Sequence, residues 1–170
     1  PDVVRASIAR LGIPGFKVLR WERDWHAPGH PFRDPLAYPR VSVATSGTHD
    51  TETLAEWWEN APEADRRLLA SLDWLAGRRL DVESGRCDEA TRDALLELLV
   101  ASASDFVILP MQDVFGWRDR INTPATVNPD NWTWRLPWPV DRLLDEPEAR
   151  ERASTLRAWA VRHGRAGQRA

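Results

Sequence analysis

A single cysteine, Cys87, occurs in the 170 residues. An internal disulfide is therefore excluded, and so is a cysteine-rich zinc site. Long apolar runs are also missing. The longest, Leu95–Ala101, is broken by Glu97 and falls far short of the ~20 residues that span a bilayer. Excess positive charge is absent: 23 basic residues face 26 acidic ones, for a formal charge of −3. That balance argues against a non-specific nucleic-acid binder. Lysine is almost gone, with Lys17 alone beside 22 arginines. Arginine offers planar bidentate hydrogen bonding, but coding bias explains the skew as readily. No glycine pattern suited to cradling phosphate appears, nor any internal repeat. The only methionine is Met111 and the first residue is Pro1. The expectation is therefore a processed chain or a fragment, with no signal or transit sequence at its start.

What is present is an ordinary globular composition, 42% hydrophobic and 29% charged, with ten tryptophans against one tyrosine. Its length suits one domain or a piece of one. Val4, Ile8 and Leu11 have helical spacing, and Gly12 follows as a stop. Phe16–Trp21 and Val41–Thr45 read as strands, separated by a proline-rich loop over Asp24–Pro39. Thr53 and Glu56 have the spacing of a capping box ahead of Leu54, Trp57 and Trp58, two tryptophans assigned to a buried wall. A further helix runs through Leu68, Leu69, Leu72 and Leu75. Asp88 caps a longer one that carries Leu95, Leu98, Leu99 and Ser102. Phe106–Leu109 is apolar throughout, which predicts a strand buried on both faces. Gly116–Pro139 reads as a long loop rich in proline and tryptophan, and Ala149, Ala153, Leu156 and Ala160 mark a last helix. Apolar strands alternating with helices predict an α/β fold with a parallel sheet. The domain is expected over residues 1–161, with a polar, frayed tail at 162–170.

In parallel α/β barrels, function gathers at the C-terminal ends of the strands. Three polar clusters stand there: Arg20-Trp21-Glu22, Gly47-Thr48-His49-Asp50 and Met111-Gln112-Asp113. The strongest is His49-Asp50. An aspartate at a helix start serves equally as a cap, or as a carboxylate that binds hydroxyls and faces a developing cation. His26 and His30 are four residues apart, but Pro28 and Gly29 oppose a helix there, so no zinc site is expected. Cys87 lies between Arg86 and Asp88 with no histidine nearby in sequence, and reads as incidental. Glu52, Glu56 and Glu59 read as a solvated helix face.

Gly12-Ile13-Pro14-Gly15-Phe16-Lys17-Val18-Leu19, Tyr38-Pro39 and Thr45-Ser46-Gly47-Thr48-His49-Asp50 resemble blocks of the amylomaltases. These are the 4-α-glucanotransferases, or disproportionating enzymes, relatives of the α-amylases. The likeness continues through Leu109–Val114 and Arg120-Ile121-Asn122-Thr123-Pro124, and ends in Asn131-Trp132-Thr133-Trp134-Arg135-Leu136. The ordered blocks cover about residues 10–137.

The resemblance implies the C-terminal part of a (β/α)8 barrel, about strands six to eight with their helices, spanning residues 1–170. It implies transfer of α-1,4-glucan segments between maltooligosaccharide or starch-type chains by a retaining double displacement. Asp50 would be the carboxylate that stabilises the transition state. His49, Asn122 and Trp21 would contact substrate, while Gln112 and Asp113 would support the rim. No metal and no cofactor is implied, the location implied is cytoplasmic, and the partners are α-1,4-glucans and the remaining barrel. The nucleophile and the acid would come from strands upstream of Pro1. Asp2 lacks a nucleophile's context, so the chain alone is expected to be inactive and prone to associate. Two departures are visible: Thr51 stands where many members have Asn, and Ala125 replaces the usual Gly of a Pro-Gly pair, which argues against a left-handed turn there. The competing readings are a non-catalytic glucan-binding module using Trp21, Trp117, Trp132 and Trp134 as stacking platforms, and a fragment of an α-amylase-type hydrolase.

Overall fold

A computed structural model describes residues 2–166, with only the backbone of Asp2 and Arg5. The expectations for the Asp2 side chain and for residues 167–170 lie outside what it describes. Helix α1 (Asp2–Arg10) leads into strand β1 (Gly15–Val18), which ends in a 3-10 turn at Leu19–Trp21, so the strand is shorter than its apolar run. Strand β2 (Ser42–Thr45) follows the proline-rich loop. Helices α2 (Leu54–Asn60), α3 (Glu63–Ala70) and α4 (Glu89–Ala101) then separate it from β3 (Phe106–Val107). Helix α5 (Met111–Phe115), the long loop and α6 (Pro147–Arg162) complete the order.

The three strands pair in sequence order, all parallel, with Phe16 opposite Val43 and Val43 opposite Phe106. Alternation puts Ala44, Val107 and Leu109 on one face. That face packs against Leu95, Leu98 and Leu99 of α4 and Trp58 of α2, all fully buried. Burying such side chains contributes roughly 1.5–3 kcal/mol each. Both predicted caps form. Thr53 accepts the Glu56 amide while Glu56 reaches back to the Thr53 amide, and Asp88 accepts the Thr91 amide at 2.8 Å.

The third strand corrects the reading of its sequence. It is two residues long rather than four, and Phe106 and Ile108 are more than half exposed. A strand is buried on both faces only if layers cover both. Here helices cover one face, and among the described residues no second layer covers Phe16, Phe106 and Ile108 on the other. Helix α3 stops at Ala70, so Leu72 and Leu75 lie in the turns that follow it.

Helix α6 is also seated differently. Ala149, Arg152 and Trp159 are buried, whereas Ala153 is exposed. Arg152 holds Asp93 of α4 with two hydrogen bonds of 3.1 and 2.9 Å. An apolar-spacing argument misses this face because arginine anchors it. The stretch after Arg162, expected to fray, is tied down as far as it is described. His163 lies 3.0 Å from Glu97, and the Arg165 guanidinium donates to the carbonyls of Val100, Ser102 and Ser104.

Glu97, the break in the longest apolar run, is a buried carboxylate facing Arg78, Arg162 and His163. Burial alone would raise its pKa, but bonds from His163 and Arg162 and the charge of Arg78 outweigh burial and hold it below its ordinary 4.5. A depressed carboxylate adds stability above the unfolded pKa and loses it as pH falls through the folded one. Glu97→Gln is therefore expected to lower Tm at pH 7, with the deficit shrinking as pH drops below 4.5. Thermal unfolding of both proteins across that range checks it, and a deficit that does not change with pH would refute it.

Candidate active site

The parallel strands deliver their following loops to one rim. At its base lies Asp113, fully buried and charged with two tasks. Its Oδ2 accepts the Ser46 hydroxyl at 2.5 Å, and its Oδ1 accepts the Leu54 amide at 2.7 Å, at the first turn of α2. Burial pushes its pKa up, against the pull of these two bonds and of the Arg20 charge. Arg20, also buried, donates to the Ser46 carbonyl at 3.1 Å and pairs with Glu52 at 3.2 Å. Burial lowers its pKa, and Glu52 and Asp113 oppose that shift. These residues stitch the ends of β1, β2 and β3 together.

On that base sits the turn Gly47–Thr51. The Thr51 hydroxyl donates to the Thr48 carbonyl and accepts the Thr48 amide, both at 3.0 Å. Thr51, where the family pattern often has Asn, thus closes its own turn. Gly47 is required for space: a Cβ there would lie 2.6 Å from Thr51 Oγ1 and 3.4 Å from the Arg20 guanidinium. Gly47→Ala should displace Thr51 and cost about 1–3 kcal/mol. Chemical denaturation should show this as a lower midpoint at unchanged slope, and an unshifted midpoint would contradict it.

The turn presents Asp50 to solvent, about half exposed. Its Oδ1 accepts the Asn122 amide at 2.7 Å, and its Oδ2 lies 3.3 Å from His49 Nε2. Arg120 donates to the Asp50 carbonyl at 3.4 Å. Asp50, His49 and Asn122, singled out from the sequence, therefore converge. Trp21 does not: it is exposed after β1, with no ring pairing or hydrogen bond to the other three among the described residues. Trp132, in contrast, tilts against the His49 ring at 5.2 Å.

Asn122 is placed by its own loop. Asn131 accepts the Thr123 amide at 3.0 Å and donates to the Thr126 carbonyl at 3.2 Å. Ala125 takes a left-handed φ of 60°, contrary to the expectation that losing the glycine bars such a turn. The smallest side chain bears that conformation at a cost of about 1–2 kcal/mol. Trp117 stacks on Phe115 at 4.5 Å and touches Trp134 and Trp138, which pins the loop to α5.

The three glutamates assigned to a solvated face each have a structural partner: Glu52 with Arg20, Glu56 in the cap, and Glu59 with Arg118. The pKa of Cys87 is pushed up to about 12 by burial and the nearby Glu59, so no reactive thiolate forms. Sequence reasoning set Arg20 in a strand-end cluster and Ser46 in a motif without giving either a role, and read Glu52 as solvated. The adjacency of Arg20 to a strand end was the only signal available for it. Among the described residues no cluster of three or more His, Cys, Asp or Glu side chains could hold a metal. No described helix is long and apolar enough to cross a membrane.

A cavity of about 410 Å³ opens beside His49, with Phe16, Ile108, Ile121 and Trp134 among its walls. Apolar walls with a few convergent polar groups suit a ligand that stacks and hydrogen-bonds. Exposed acceptors, an imidazole and an amide at its edge can grip vicinal hydroxyls. A half-hydrated carboxylate can also face a cation forming on a bound molecule.

The sequence profile described as 4-alpha-glucanotransferase matches residues 1–141. Curated proteins of that name are similar to this chain. One from Chlamydia pneumoniae is 32% identical over 148 residues, covering 80% of this chain and 26% of that protein. One from Thermus thermophilus is 34% identical over 139 residues, covering 78% and 26%. The chloroplastic/amyloplastic 4-alpha-glucanotransferase of Solanum tuberosum is 33% identical over 138 residues, covering 80% and 22%. Among solved structures, the amylomaltase of Streptococcus agalactiae in complex with acarbose superposes with a TM-score of 0.72 at 25% identity, over 98% of this chain and 30% of that one. The amylomaltase of Corynebacterium glutamicum shares the fold, with a TM-score of 0.62 at 18% identity, over 91% and 27%. The chain spans between a fifth and a third of the length of each of these proteins.

Proposed function

This chain belongs to the 4-alpha-glucanotransferase family, a family of transferase enzymes, and from that premise we propose that it supplies the transition-state-stabilising side of a glucan-transfer site. The observation that carries the reading is the Asp50 carboxylate, held by Asn122 at 2.7 Å and by His49 at 3.3 Å, with His49 itself lining a walled cavity. The proposed substrates are α-1,4-glucans and maltooligosaccharides. The acarbose held by the Streptococcus agalactiae relative supports that class.

In the proposed retaining reaction, one carboxylate attacks the anomeric carbon while an acid protonates the leaving oxygen. A sugar hydroxyl then displaces the enzyme carboxylate. Asp50 grips ring hydroxyls and opposes the positive charge that grows at the anomeric centre. His49 and Asn122 orient Asp50 and bind the same sugar. Trp132, one of the four tryptophans considered as stacking platforms, takes the substrate contact expected of Trp21, because it lies against His49. The proposal makes the three strands the sixth, seventh and eighth of a barrel, whose remaining part brings the nucleophile and the acid. A cytoplasmic location belongs to the same proposal, as does inactivity of residues 1–170 by themselves.

Glucose release from maltotriose tests the reading, comparing the complete enzyme with its Asp50→Asn form. Near-complete loss of release with retained maltooligosaccharide binding supports it. Unchanged release overturns it.

A further inference from the structure

Gln112 and Asp113 are neighbours in sequence and both almost fully buried, yet they behave oppositely. Each Asp113 carboxylate oxygen has a hydrogen bond, one from Ser46 and one from Leu54. The Gln112 amide nitrogen, in a residue only 3% exposed, has no hydrogen-bond partner among the described residues. Buried polar groups are nearly always paired, because an unpaired one loses its bonds to water and gains none in return. Of the other buried unpaired atoms, Tyr38 Oη belongs to a residue in the helix-side core. Those of Arg20, Arg120 and Arg152 belong to guanidinium groups already engaged elsewhere. Gln112 alone among these lines the 410 Å³ cavity. It also lines a smaller recess that shares His49 with the first and is bordered by Thr48, Asp119 and Arg120.

We infer that the Gln112 carboxamide is a sugar-hydroxyl contact of this site, a specificity-determining residue held unpaired in the free protein and satisfied when substrate enters. The inference rests on the glucan-transfer reading above. A carboxamide offers both donor and acceptor, and a pyranose hydroxyl is both acceptor and donor, so the two are matched. The free protein bears the strain of the unpaired amide and bound substrate relieves it, which converts a folding penalty into affinity.

Gln112→Met in the complete enzyme tests this, because methionine keeps length and approximate volume while removing both polar ends. KM for maltotriose should rise about tenfold, the worth of one hydrogen bond at a buried site, with kcat within a few-fold. Tm should rise, since an unpaired amide has been removed. A role in holding the fold would move Tm the other way, so a fall in Tm overturns the inference, as does an unchanged KM. In the unaltered enzyme, the Gln112 side-chain amide resonance should shift on adding acarbose, and a resonance that stays put also overturns it. Asp50→Asn run beside these separates the two readings. If it keeps full turnover, the glucan-transfer reading fails. If it loses turnover while Gln112→Met matches the parent enzyme, only the Gln112 contact fails.

Discussion

Asp50→Asn is expected to lower kcat on maltotriose by at least 10²–10³-fold, the range seen when one preorganised group facing transition-state charge is removed. Asparagine preserves shape, and its carbonyl oxygen still accepts the Asn122 amide that reaches Asp50 at 2.7 Å. What disappears is the negative charge. A ground-state sugar is neutral, so binding should change little, whereas the oxocarbenium-like state loses its counter-charge. KM should therefore stay within a few-fold while kcat falls, the signature of an interaction made mainly in the transition state. A rise in KM with kcat preserved would instead make Asp50 a simple binding residue.

Asp113→Ala should have the largest effect on stability, about 3–5 kcal/mol, as expected when one member of a buried charged network is deleted. The Ser46 hydroxyl and the Leu54 amide lose their acceptor, and Arg20 is left with Glu52 alone as counter-charge. The damage should also reach Asp50, because the turn that presents it rests on Ser46 and on the start of α2. Denaturant unfolding measures the first effect and glucose release the second. A variant of near-parental stability would show that the rim does not depend on this carboxylate.

The sequence made these residues unequally visible. His49, Asp50 and Asn122 could be found because their motifs stand at strand ends, and a parallel sheet sends every strand end to one rim. The caps at Thr53 and Asp88 were legible because capping is local, a matter of spacing over three residues. Arg20, Glu97 and Arg152 were not. Each is a charged residue buried by partners distant in sequence, Ser46, His163 and Asp93 respectively, and no periodicity reports such pairings. The short, half-open β3 was misread for the complementary reason. Its composition suits burial on two faces, but exposure depends on which layers are present. Trp21 and Trp132 are equally good stacking residues by composition, and only the left-handed turn at Trp132, with its amide bonded to the Ile121 carbonyl, brings one of them to His49.

The pairing of β2 with β3 carries a kinetic consequence. Val43 and Phe106 are sheet neighbours, yet α2, α3 and α4 all lie between them along the chain. Closing so long a loop is slow relative to forming local helices, and the reward is a ladder only two residues long. β3 should therefore dock late in folding and open early under mild denaturant. The Ile108 amide, bonded to the Ala44 carbonyl at 3.0 Å, should exchange with deuterium before the interior amides of α4 do. Because Asp113 lies in α5, a few residues beyond that strand, Ser46 and the turn bearing Asp50 acquire their support only when β3 arrives. The geometry proposed to meet a sugar is then the last property a folding chain gains, and the first it gives up.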